Sequence, residues 1–96
     1  MRERIAEAMK DAMRSRDQLR LSTLRLMSAA LKDQDLARRA AGDGGQLDDG
    51  EIRALLAKMV RQREESAHAY EEAGRMELAE RERAEQAVIR EFLPKP

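Results

Sequence analysis

Cysteine and tryptophan are absent, the aromatic side chains amount to Tyr70 and Phe92, and 96 residues include only two prolines and five glycines. Without cysteine there is no disulfide framework and no thiolate chemistry, which suits a reducing cytoplasm. With so few aromatics, the core must be assembled from Leu, Ile, Met, Val and Ala, and a chain this short buries a modest share of its surface. No apolar run approaches the ~18 residues of a membrane span, and Met1-Arg2-Glu3-Arg4 opens into an amphipathic pattern with no apolar signal core. A soluble, cytoplasmic protein with no membrane attachment is the expectation. Net charge is missing too, since 19 basic and 19 acidic side chains cancel, which argues against nucleic-acid binding by bulk charge alone.

What is present is charge in quantity, at 40% of residues, among strong helix formers. That composition predicts a single all-α domain. Ile5, Ala8, Met9, Ala12 and Met13 recur at helical spacing and predict a first helix over residues 2–13. Either Ser15, with Gln18 three places on, or Asp17 caps a second helix running from Gln18 to about Ala41. Its apolar stripe is Leu21, Leu24, Met27 and Leu31, widened by Leu26, Ala30 and Leu36. Gly42-Asp43-Gly44-Gly45 ends that helix in a loop, and Asp48 with Glu51 forms a capping box for a third. Ile52, Leu55, Leu56, Met59, Val60, Ala67 and Tyr70 face inward on the third helix, which Gly74 terminates. A fourth carries Leu78, Val88, Ile89 and Phe92 and closes before Pro94, which cannot continue it.

If helices three and four fold back at Gly74, Leu56 faces Phe92, Met59 faces Ile89, Arg63 faces Glu85, Ser66 faces Glu82 and Tyr70 faces Leu78. Apolar pairs then enclose a polar centre. Glu82 and Glu85 fall on the stripe that carries Leu78, Ile89 and Phe92, so they need partners. Arginine's planar fork can meet a carboxylate bidentately, and the set Arg63, Ser66, Glu82, Glu85 and Gly74 reads as a structural polar lock that fixes the hairpin register.

Other constellations are weaker. His68 has Glu64 and Glu72 one turn to either side, but those carboxylates lie about 12 Å apart along the axis, so a solvated charged face is the plainer reading than a metal site. Ser66 and His68 are two apart on a helix and cannot face each other for nucleophilic catalysis. The glycine loop lacks the strand and the Lys-Ser/Thr of a phosphate-binding loop. No catalytic residue, cofactor site or metal site is indicated. Residues 1–41 carry ten basic and six acidic side chains, and Arg14, Arg16, Arg20 and Arg25 cluster about the turn between helices one and two. That set is either solvated surface or a candidate RNA-binding patch of phosphate contacts, and Arg25 can instead pair internally.

The strings Arg20-Leu21-Ser22-Thr23-Leu24-Arg25, Gln62-Arg63 with Ser66 and Tyr70, Ala73-Gly74-Arg75, Leu78-Ala79-Glu80, Glu82, Glu85 and Glu91-Phe92-Leu93-Pro94 together resemble the YqeY-like family, related to the C-terminal region of GatB. The resemblance covers nearly the whole chain and maps the family motif onto Arg63, Ser66, Gly74, Arg75, Glu82 and Glu85. His68 and the Gly- and Asp-rich loop from Gly42 to Gly50 depart from it. It implies an N-terminal helical domain over residues 1–93, with 94–96 starting a linker to a tail domain that lies outside this chain. GatB belongs to the tRNA-dependent amidotransferase that converts misacylated Glu-tRNA or Asp-tRNA. Its corresponding region is associated with tRNA recognition, while catalysis resides elsewhere.

The expectation is therefore an all-α protein of four helices, dominated by a long antiparallel hairpin of helices three and four with helices one and two packed along it. The function expected from the resemblance is a non-catalytic accessory module near tRNA or the aminoacyl-tRNA amidation machinery. The alternatives are a helical module for a protein partner or homo-oligomer and, more weakly, a participant in carbon–nitrogen ligase chemistry with glutamine as amido donor.

Overall fold

A computed structural model describes residues 1–95. Four helices, α1 (Arg2–Ser15), α2 (Gln18–Ala40), α3 (Asp49–Glu72) and α4 (Met76–Arg90), account for the fold. Each boundary follows from local chemistry. Asp17, not Ser15, caps α2 by accepting the Arg20 N–H at 3.1 Å, while the Ser15 hydroxyl turns back and donates to the Ala12 carbonyl. Asp48 and Glu51 form the reciprocal capping box at the start of α3, satisfying two backbone donors that the first turn leaves free. Gly74 sits at φ +73°, and the Arg75 and Gly74 amides return to the Tyr70 and Glu71 carbonyls. This is a Schellman stop, which needs a left-handed residue and so favours glycine. The first helix ends the same way on Arg16 at φ 59°, a conformation that costs an L-residue about 1–2 kcal/mol.

The antiparallel hairpin of α3 and α4 is the dominant packing unit. Its longer member, α3, runs 24 residues, about 36 Å at 1.5 Å per residue, in a molecule measuring 45 × 31 × 26 Å. Packed against this hairpin is α2, and α1 packs on α2. The first helix reaches the hairpin through its N-terminal end: the Met1 ammonium lies 3.5 Å from Asp49, and the Arg4 guanidinium covers the Phe92 ring at 5.2 Å from its centroid.

One core joins all four helices, with Ile5, Leu24, Met27, Leu31, Ile52, Leu56, Met59, Ile89 and Phe92 among its members. Each such side chain contributes about 1.5–3 kcal/mol by leaving water. Met13, Leu26, Leu36, Met76 and Leu78 are instead exposed. For Met13, Leu26 and Leu36 the expected stripes were too wide, because α1 and α2 bury narrower faces. For Leu78 the difference is local to the hairpin tip. Toward the end of α4 the expected Val88, Ile89 and Phe92 are buried, but near its start the buried residue is Ala79, next to Leu78, so the Tyr70–Leu78 pair does not close the hairpin tip. There Ala67 and Ala79 are the buried residues. Phe92 is buried but follows the helix, in a turn whose amide returns to the Ile89 carbonyl. Lys95 is exposed beyond that turn, and Pro96, part of the expected linker, lies outside the described residues.

Candidate functional site

The polar centre of the hairpin splits into two clusters. In the first, Arg63 Nε faces Glu85 Oε1 at 3.4 Å, the two side chains being 15% and 12% exposed. The contact is an ion pair without hydrogen-bond alignment, and Arg63 Nη1 turns to the Met59 carbonyl at 3.5 Å. The expected two-pronged grip on a carboxylate is therefore replaced by a divided one, because the guanidinium lies close to its own helix. Arg81, largely exposed, adds a second cation 3.5 Å from Glu85. Glu82 sits beside them, and no hydrogen bond joins it to Ser66 among the described residues. Burial, followed by the neighbouring Glu85 charge, pushes the Glu82 carboxyl above its ordinary value, against the smaller opposing pull of Arg63.

The second cluster is not legible in the helix register. Gln86, 3% exposed, donates from Nε2 to the Val60 carbonyl and to Glu64 Oε2, both at 3.0 Å. Arg83 bridges Glu64 at 3.1 Å and Glu71 at 2.8 Å. Gln86 and then Arg83 hold the Glu64 carboxyl below its ordinary value, so the carboxylate one turn from the exposed His68 is already committed. A signal for Gln86 does exist, since it follows the buried Ala79 by seven residues, two helical turns.

Asp35 escapes sequence reasoning for a similar reason. It lies one turn beyond Leu31 on the core stripe and is buried. Arg2 holds it with a two-pronged contact, both distances being 2.9 Å. It also accepts the Leu47 N–H at 3.0 Å, thereby pinning the loop before α3 to α2. These bonds, Arg2 first, lower the Asp35 carboxyl below its ordinary range. Glu51 is lowered likewise, by Arg38 and then by the Asp48 N–H.

The four arginines of the α1–α2 turn have different fates. Arg14 pairs with Asp11 at 3.3 Å on the surface. Arg20 is tied to Glu91, joining the start of α2 to the turn after α4. Arg16 is exposed at the left-handed stop of α1, and Arg25 is exposed on α2, with no ion pair for either among the described residues. Arg14, Arg16 and Arg25 are thus exposed cations, whereas Arg20 ties two elements together. No group of three metal-ligating side chains lies together among the described residues, and no described helix is long and apolar enough to cross a membrane.

Carboxylates with lowered pKa favour the folded state above their ordinary values and lose that contribution as pH falls through the folded values; Asp35, Glu51 and Glu64 behave this way. Glu82 has the opposite sign. Its raised value makes the folded state bind the proton more tightly, a contribution complete below the ordinary 4.5 and lost as pH rises through the raised value. Glu82→Gln is accordingly expected to stabilise the fold at pH 7 and to lose that advantage near pH 4. Urea unfolding at the two pH values checks it, and an equal gain at both would remove the charge explanation.

The chain matches the family model described as "Yqey-like protein" over residues 2–96. It is 29% identical over 85 residues to "Altered inheritance of mitochondria protein 41, mitochondrial" of Clavispora lusitaniae, covering 88% of this chain and 46% of the relative. The protein of the same name from Lachancea thermotolerans is also 29% identical over 85 residues, covering 88% of this chain and 43% of the relative. The chain therefore spans less than half the length of these curated relatives. A match across nearly every residue of the four-helix unit shows that this chain belongs to the Yqey-like protein family.

Proposed function

We propose that this unit is a non-catalytic accessory module, related to the C-terminal region of GatB, that associates with tRNA through the outward cations Arg14, Arg16 and Arg25. The observation carrying the reading is the exposure of those side chains: Arg16 after α1 and Arg25 in the first half of α2 have no carboxylate partners among the described residues. Arg14 has only an exposed, i,i+3 partner to give up, and exposed pairs of that kind contribute ~1 kcal/mol or less. Phosphates can therefore recruit all three at small cost. Arg20 plays a supporting part, holding the α2 start against Glu91. A non-catalytic role is favoured because Ser66 and His68 lie on different faces of α3.

The test is titration of labelled tRNA with the protein at low and physiological salt. Binding is expected to weaken with salt as counterion release requires, and Arg16→Glu combined with Arg25→Glu should reduce the salt slope by about 1 for each phosphate that the variant no longer neutralises. Absence of tRNA binding at low salt would overturn the tRNA association, and turnover of glutamine by the purified chain would overturn the non-catalytic reading.

A further inference from the structure

The tRNA reading leaves unused a groove of about 330 Å³ between α1 and the C-terminal half of α2. Ile5, Met9, Leu31 and Leu36 supply its apolar lining, and Arg2, Lys32 and Arg39 its cations. Asp35 is the one carboxylate among its described lining residues, and Arg2 and the Leu47 N–H already engage it. Lys32 and Arg39 are exposed and make no ion pair among the described residues. They stand two helical turns apart on α2, about 10 Å, with Leu36 between them at 49% exposure. On the facing helix, the small Ala6 lets an occupant come close, and Met9 offers a flexible side chain that can repack around it.

An interhelical groove with an apolar floor, a small residue on one wall and unpaired cations on the other has the shape and charge to hold a third helix. A phosphate backbone would satisfy Lys32 and Arg39 but leave Met9 and Leu36 wet, so the lining favours peptide over RNA. We propose that the α1–α2 groove docks an acidic amphipathic helix of a partner protein, its carboxylates on Lys32 and Arg39 and its aliphatic side chains over Met9 and Leu36. Arg25 stands two turns before Lys32 on the same face of α2 and borders the groove, whereas Arg14 and Arg16 lie beyond the residues that line it, so Arg16 is the position that separates peptide docking from tRNA association.

The probe is a fluorescein-labelled helical peptide of about 18 residues with leucines at i, i+4, i+7 and i+11 flanked by glutamates, beside a version with lysine for every glutamate. Fluorescence anisotropy should show saturable binding of the acidic peptide and binding on the order of tenfold weaker for the basic one. Amide shifts in a ¹⁵N-labelled protein should map to Arg2–Met9 and Ser28–Arg39. Lys32→Glu with Leu36→Asp should lower affinity on the order of tenfold, while Lys58→Glu on α3 should leave it unchanged. Both altered side chains are exposed, and an unchanged thermal melt confirms that the double variant folds. Arg16→Glu alone should spare peptide binding. Equal affinity for the two peptides, no saturation by about 1 mM, shifts confined to other surfaces, or tRNA occupying Lys32 and Arg39 in place of the peptide would each overturn the proposal.

Discussion

Truncating Leu24 to alanine is expected to remove about 3–4 kcal/mol of stability, lowering the thermal midpoint by roughly 15 °C or more. Leu24 is fully buried near the middle of α2. That helix alone packs against all three others, so a cavity there lies where the whole fold is joined. Collapse of the surroundings is limited because the hairpin is stiffened by its own packing and α1 is tied to it at Asp49 and Phe92. A domain of this size has a total stability on the order of 5–15 kcal/mol, so the substitution removes a large fraction of it. Leu26→Ala, two residues away but half-exposed, should shift stability by no more than about 0.5 kcal/mol. Urea unfolding of both variants decides the matter, and coincident midpoints would mean that α2 does not organise the core.

The four helices are legible because their punctuation is local. Asp48 with Glu51, Gly74 with its Schellman bonds, and Pro94 act through neighbours a few residues away, and the sequence states those neighbours directly. The hairpin and its register follow from them, since one tight stop leaves α4 few ways to return along α3. What stays hidden depends on rotation. At the start of α4 a rotation of less than one residue decides between Leu78 and Ala79, and Ala79 is the buried one, while the amide of Gln86 lies against the Val60 carbonyl. Apolar periodicity does not fix a helix to better than that when Leu78, Ala79, Ala84, Ala87 and Val88 encircle it.

Charge partners are harder still. In a chain with 19 cations and 19 anions, periodicity identifies which faces carry charge but not which arginine reaches which carboxylate. The contacts of Arg38 with Glu51, Arg20 with Glu91 and Arg2 with Asp35 cross between elements, and each depends on the packed geometry of two helices and a loop. Of the basic cluster read from sequence, Arg20 is accordingly drawn into holding the fold while Arg16 and Arg25 remain outward. Arg25, which could have paired internally, is exposed because Leu24 and Met27 take the buried side of that turn.

Arg63→Met is expected to cost about 2–4 kcal/mol at pH 7, approaching the penalty for removing one partner of a buried ion pair. The upper end of that range is not reached, because Arg81 remains 3.5 Å from Glu85 at the surface. Loss of the guanidinium leaves Glu85 nearly buried with one exposed cation. It also removes the stronger of the two charge effects, those of Arg63 and Arg81, that oppose the upward shift of Glu82, so two neighbouring carboxylates then repel more strongly within the hairpin. The methionine side chain fills much of the space and forms no hydrogen bond, which separates the electrostatic loss from a cavity. Arg53→Met, on the exposed side of α3, should stay within about 0.5 kcal/mol of the parent. Two further measurements test the cause. Adding Glu85→Gln to Arg63→Met should recover much of the loss, and lowering the pH should narrow the gap between Arg63→Met and the parent, since protonating Glu82 and Glu85 discharges the repelling pair. Equal melting temperatures for Arg63→Met and Arg53→Met, or a deficit that neither neutralisation nor acid relieves, would mean that packing and the Gly74 stop alone hold the hairpin in register.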